Sequence, residues 1–178
     1  ALAACLMTGS ACLVAWGTKT YFYRERSRGG IKGDIVFNND LAIQEVNGEE
    51  EAYEVIEKEL GIKPVKLGYI PSDMVFSNLT ILNHTSVIEF EYEGEILYLT
   101  CVSNSSETSI NIKSDGLKYR DIYNKWLAKE IEVRKEITEK GTIKYEASFA
   151  DQDIVCGLRG ELPEDEFIYI LEDLHRFE

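Results

Sequence analysis

The chain predicts an α+β fold, an antiparallel β-sheet packed by an N-terminal and a C-terminal amphipathic helix and preceded by a transmembrane helix. Three observations carry this. An uncharged run of eighteen residues, Ala1 to Thr18, opens the sequence, and the first charge is Lys19. Apolar and charged residues alternate with a period of two through much of the middle, the signature of half-buried strands. Two stretches of helical spacing, near residues 48–60 and 163–177, flank that middle and need a surface to cover.

The opening run contains Leu2, Leu6, Met7, Leu13, Val14 and Trp16. About 18 apolar residues without a charge suffice to span a bilayer core as a helix, and Trp16, Tyr21, Phe22 and Tyr23 supply an interfacial aromatic belt. Residues 1–23 therefore read as an anchor, with membrane contact through residues 1–18. Residues 24–46, with Gly29, Gly30 and Gly33, read as a juxtamembrane linker, and residues 47–178 as the soluble domain. A cleaved signal is the competing reading. Leu2-Ala3-Ala4-Cys5 also fits the pattern before a lipid-modified cysteine, although the residues after Cys5 stay apolar. Arg24, Arg26 and Arg28 follow the run, and positive charge favours the cytoplasm.

Charge excludes one class of partner. Four of the 19 basic residues and one of the 32 acidic residues lie in residues 1–30, leaving residues 31–178 with a formal charge of −16. A domain so acidic repels phosphate backbones, which argues against nucleic-acid binding.

The elements follow in order. Asn47 and Gly48 precede Glu49-Glu50-Glu51, favouring a helix N-terminus through capping and the dipole. Ala52, Val55, Ile56, Glu59 and Leu60 keep helical spacing, and Gly61 supplies a stop. Pro64 and Pro71 bracket Val65 to Ile70, a short edge strand. Ile88, Phe90 and Tyr92 alternate with Glu89, Glu91 and Glu93; Gly94 turns the chain, and residues 96–102 run back. Residues 131–137, 143–149 and 154–158 form a three-strand meander with turns at Glu139-Lys140-Gly141 and Asp151-Gln152-Asp153. Pro163 suits a first helical position, and Glu164, Asp165 and Glu166 complement the dipole. Phe167, Ile168, Ile170, Leu171, Leu174 and Phe177 then form an apolar stripe.

Tyr119, Ile122, Tyr123, Trp126 and Leu127 fall on one helical face, as a core-covering helix, an extended crossover or an aromatic recognition patch. Residues 103–116 before them read as loop. Together, Phe90, Tyr92, Tyr98, Tyr119, Tyr123 and Trp126 are the candidate ligand or partner surface.

No pattern for chemistry emerges. The two histidines, His84 and His175, lie far apart, and a Cys–His pair would need a spatial meeting with Cys101 or Cys156. Those two cysteines are either a bridge in an oxidising compartment or small buried hydrophobes on neighbouring strands. Asp151-x-Asp153 resembles a paired-carboxylate metal site, but its place between two strands predicts a solvated turn. Glycine-rich phosphate loops, Cys-x-x-Cys pairs and His-Glu-x-x-His motifs are absent from the sequence, so no cofactor or metal is predicted and the domain reads as non-enzymatic.

Tyr69-Ile70-Pro71, the Tyr92-Glu93-Gly94-Glu95-Ile96 hairpin and the closing run from Gly157 through Leu162-Pro163-Glu164 to Phe167 resemble a known family. It is the C-terminal domain of unknown function of membrane proteins of Gram-positive bacteria, often anti-sigma-factor-like envelope regulators. The resemblance covers roughly residues 62–177. It implies a single membrane-spanning helix, a domain outside the cytoplasmic membrane, and a curved half-barrel sheet similar to lipoprotein-carrier and envelope-sensor domains. The expected function is a membrane-anchored sensory domain that binds a protein, peptide or envelope ligand. A carrier of lipid or another apolar ligand, held between the aromatic-rich sheet and its helices, is the alternative.

Overall fold

Period-two alternation extends further along the chain than the sequence patterns alone assign, and it decides the architecture. A computed structural model describes residues 42–103 and 116–178. The predicted anchor, the linker as far as residue 41, and most of the predicted loop 103–116 lie outside the described residues. Among the described residues no helix is long and apolar enough to cross a membrane.

The order is β1 (Ala42–Gln44), α1 (Glu49–Leu60), β2 (Val65–Leu67), β3 (Met74–Leu82), β4 (Thr85–Tyr92), β5 (Glu95–Ser103), β6 (Leu117–Asn124), β7 (Lys129–Ile137), β8 (Ile143–Asp151), β9 (Ile154–Gly160), α2 (Glu164–Glu172) and β10 (Leu174–Arg176). Eight strands form one antiparallel sheet in the order β1-β3-β4-β5-β9-β8-β7-β6, and β10 pairs with β2 in a second, two-stranded sheet. The fold is therefore mostly β. The predicted α+β domain, a sheet packed by two amphipathic helices, is corrected to an eight-stranded sheet carrying two short helices.

The correction has local causes. Leu117–Asn124 is a strand, not a helix, and a bulge between Lys118 and Arg120 shifts its register against β7. A bulge turns a two-residue repeat into a three-residue one. Tyr119 and Ile122 thus reach the core face at a spacing that mimics a helix. The terminal helix stops at Glu172, because the chain turns at Asp173 and enters β10. Leu174 and Phe177 consequently reach the core from the strand and its flank rather than from a helical stripe. Pro163 stands at the N-cap, one position earlier than predicted. β1 pairs with β3 inside the stretch read as linker.

Helix α1 matches its prediction. The Glu51 carboxylate accepts hydrogen bonds from the Asn47 backbone N–H at 2.7 Å and from Asn47 Nδ2 at 2.8 Å. Gly61 closes the helix at φ 64°, where a side chain would be strained.

One face of the sheet carries the core. Ile88, Phe90, Leu99, Cys156, Leu158 and Ala147 are buried there, joined by Tyr53 and Ile56 of α1 and by Phe167, Ile170 and Leu171 of α2. The opposite face carries a polar row. Directly paired residues run across seven strands as Asn78, Glu89, Tyr98, Arg159, Glu146, Arg134 and Lys118. Arg159 and Glu146 form an ion pair there at 3.1 Å.

The Asp151 turn also departs from expectation. Asp151 is not solvated but buried, and Lys129 Nζ donates to it at 2.6 Å and Arg176 Nε at 2.7 Å. This cluster joins β7, β8 and β10. Burial alone would raise the carboxyl's pKa; the hydrogen bonds from Arg176 and Lys129 outweigh it and hold the group below its ordinary value of 3.8.

Two predictions follow from this core. Leu171→Asp places a charge at a fully buried position, costs more than about 4 kcal/mol, and removes the cooperative transition from a denaturant melt. Asp151→Asn costs about 2–3 kcal/mol at neutral pH, less than a fully buried pair because both cations keep some solvent. A depressed folded-state pKa contributes stability above the unfolded value and loses it as pH falls through the folded one. The difference in melting midpoint between wild type and Asp151→Asn therefore narrows below about pH 3.8.

Candidate functional site

The C-terminal end of α2 is a node where two separate parts of the chain are fastened by three sets of contacts. From β6 comes Asn124, fully buried, whose Nδ2 donates to Leu171 O at 2.7 Å and to Leu174 O at 2.9 Å. Its Oδ1 accepts the Leu127 N–H at 2.7 Å, which holds the turn between β6 and β7. Carbonyls at a helix end have no partner within the helix, so one asparagine serves both the helix end and the turn.

The second fastening comes from the segment after β2. The Gly68 N–H donates to Asp173 O at 3.0 Å. A Cβ on Gly68 would collide with that same oxygen and with the His175 ring, so only glycine permits the approach. The third is Trp126, whose Nε1 donates to Asp173 Oδ1 at 2.6 Å.

These contacts shape an open groove of about 460 Å³ lined by Tyr69, Tyr123, Lys125, Tyr169, Glu172 and Asp173. Successive strand residues point to opposite faces, so burying Asn124 turns Tyr123 outward. Tyr123 is 62% exposed, Trp126 55% and Tyr169 52%. Tyr69 meets Tyr169 edge to face at 5.7 Å, and its hydroxyl donates to Glu166 Oε2 at 2.8 Å. That hydrogen bond holds the Tyr69 hydroxyl above its ordinary pKa.

The groove is electronegative. A helix C-terminus carries a partial negative charge that a cation normally complements, yet the last turn of α2 contains no basic residue. Glu172 and Asp173 add to the field. Lys125 brings the one cation among the lining residues, and its Nζ lies 4.8 Å from the centre of the Trp126 ring. The aromatic faces here thus already accept an ammonium group from the chain itself.

The structure disperses the other predicted surface residues. Phe90 is fully buried and packs against Phe76, so it belongs to the core and not to a ligand surface. Tyr92 packs against the same core from its edge. Tyr98 stands in the polar row on the far face, between Glu89 and Arg159. Tyr119 is half-buried, donates to Glu164 Oε1 at 2.6 Å, and carries Lys135 Nζ at 3.8 Å from its ring centre. Of the six, Tyr123 lines the groove, and Trp126 stands beside it, hydrogen-bonded to the lining residue Asp173.

Tyr69, Tyr169 and Asn124 are not among the candidate surface residues read from sequence, where Tyr69 enters only through the resemblance. Tyr169 had a readable signal, an aromatic on the wet side of an amphipathic helix. Asn124 had none, because its role is fixed by partners 47 and 50 residues away.

The cysteines and histidines occupy different places. Cys101 and Cys156 are buried, directly opposed across β5 and β9, with Sγ atoms 3.6 Å apart. The hydrogen bond to Cys101, with burial, pushes the Cys156 thiol well above its ordinary pKa. His84 is exposed in the turn between β3 and β4. His175 contacts Asp173 O at 3.1 Å and the Trp126 ring. Among the described residues no group of three or more His, Cys, Asp or Glu side chains could hold a metal ion.

The family model described as Domain of unknown function (DUF4367) matches residues 64–174. The chain belongs to that family. The matched span contains every residue that lines the groove, from Tyr69 to Asp173. No curated protein and no solved structure matches the chain.

Removing the Asn124 amide takes a buried donor from two carbonyls and the acceptor from one N–H. Asn124→Ala therefore costs about 2–4 kcal/mol, read from the urea midpoint. Gly68→Ala costs about 1–3 kcal/mol by overpacking. With Trp16→Phe as the background, so that Trp126 is the sole tryptophan, Trp126 emission in both variants shifts before global unfolding; coincident transitions would show that the groove is not an independently held unit.

Proposed function

We propose that this DUF4367 domain is the extracytoplasmic, non-enzymatic regulatory part of a membrane-anchored, anti-sigma-factor-like envelope protein. It engages a basic segment of a protein or peptide through the aromatic groove at the end of α2. The uncharged run of residues 1–18 and the resemblance carried by the Tyr92–Ile96 hairpin and the Leu162-Pro163-Glu164 closing run support the setting. The groove supports the mode of action.

The single observation that carries the reading is the pairing of exposed aromatic rings with a helix C-terminus whose last turn contains no basic residue. Tyr69, Tyr123 and Tyr169 offer aromatic rings to a cation, and Glu172 and Asp173 offer carboxylates. The −16 charge of residues 31–178 steers a basic partner towards the domain and repels an acidic one. Binding at the node changes contacts among β2, β6 and α2, and the anchor carries that change to the membrane.

The lipid-carrier alternative rests on Phe90, Tyr92, Tyr98, Tyr145 and Phe149; of these Phe90, Tyr145 and Phe149 are buried in the core and Tyr98 stands on the far face, so the groove at the end of α2 favours the first reading.

The test uses the full chain in detergent with Trp16→Phe, so that Trp126 is the sole tryptophan. An oligo-arginine peptide is expected to change Trp126 emission saturably, and the effect weakens as salt is raised. Tyr169→Ser and Glu172→Gln each weaken binding about tenfold, roughly 1.4 kcal/mol. Equal affinity for an oligo-glutamate peptide, or unchanged affinity in both variants, contradicts the reading. In the source cell, the same two substitutions alter envelope-stress transcription as deletion of residues 62–178 does; unaltered transcription counts against the regulatory role.

A further inference from the structure

The eight-stranded sheet consists of two halves joined at one seam. β1, β3, β4 and β5 come from residues 42–103, and β6, β7, β8 and β9 from residues 117–160. Within the sheet they meet where β5 pairs with β9, over six residue pairs from Tyr98↔Arg159 to Ser103↔Ile154. Cys101 and Cys156 are one of those pairs, near the middle of the seam.

We propose that Cys101 and Cys156 are a disulfide site that locks the two halves of the sheet together when the protein meets an oxidising thiol pool. Opposed residues in an antiparallel pair have Cα atoms about 4.5–5.5 Å apart, inside the 4.4–6.8 Å that disulfides span. The sulfurs already face each other at 3.6 Å. Closing the bond asks for side-chain rotation rather than strand movement.

The chemistry balances as thiol–disulfide exchange with a low-molecular-weight disulfide such as oxidised glutathione. One thiolate attacks the reagent and forms a mixed disulfide, releasing one reduced thiol. The second thiolate then attacks the protein sulfur of that mixed disulfide and releases the other. The two cysteines lose two electrons and two protons; the reagent gains them as two thiols. Both cysteines are 1% exposed or less, out of reach of a reagent in solution, so the exchange occurs while the seam is open, during folding or local unfolding. Once closed, the bond spans a separation of 55 residues and is shielded from reductant by the same packing.

The site is independent of the groove, and its test does not depend on ligand. The full chain is refolded in glutathione buffers from fully reduced to fully oxidised, alkylated, digested and mapped by mass spectrometry. Mapping separates this pair from Cys5 and Cys12. The expected product under oxidation is a cross-linked peptide joining Cys101 to Cys156, lost on reduction, with a melting temperature about 10 °C above the reduced form. The Cys101→Ala/Cys156→Ala double variant shows no redox dependence of its melting temperature. Alkylated thiols at both positions after oxidative refolding overturn the proposal. So do mixed bridges to Cys5 or Cys12, or a bridged form that melts at or below the reduced one; each is readable on wild-type protein alone.

Discussion

The end of α2 must be held against the sheet, and Asn124 holds it. A helix of nine residues has little stability of its own, since short helices depend on tertiary packing. Its apolar side is buried on the sheet, yet burial is non-directional and cannot fix where the helix stops. The Asn124 amide fixes it by taking one carbonyl of the last helical turn, Leu171 O, and one at the start of β10, Leu174 O, while its own oxygen secures the turn after β6. From that constraint follow the entry into β10, the outward aim of Tyr123, and the position of Trp126 over Asp173. The groove is a by-product of how one helix is terminated.

Charge is distributed accordingly. On the far face, opposite charges meet in register across the sheet, as at Arg159 and Glu146, and largely neutralise one another. Among the described residues, buried charge is confined to Asp151, where two cations converge. At the groove the pattern differs: the helix dipole, Glu172 and Asp173 share one sign, and Lys125 alone opposes them. Interaction sites commonly retain such local imbalance, because a partner supplies the complement.

Much of the sheet was legible. Alternation at Ile88–Tyr92, Ile131–Ile137 and Ile143–Phe149 identified β4, β7 and β8 because one face is wet and the other dry. Helix α1 announced itself through Glu49-Glu50-Glu51 and Gly61. The fold class was misjudged where a tertiary feature disguised the period. The bulge in β6 imitated helical spacing, and the apolar residues Leu174 and Phe177 continued a stripe across a chain turn that pairing with β2 imposes. The site was legible only in part. Trp126 and Tyr123 were visible as aromatics in a polar region, whereas Gly68 and Asn124 matter through contacts about fifty residues or more distant, which local pattern cannot encode.

Hydrogen–deuterium exchange on the full chain, with and without an oligo-arginine peptide, tests most directly whether the end of α2 is the docking surface. The account predicts slowed exchange at residues 68–70, 123–127 and 169–173, with β4 and β5 unchanged. Protection confined to the polar face around Glu89 and Glu146, or no protection at any of the three segments, would contradict it.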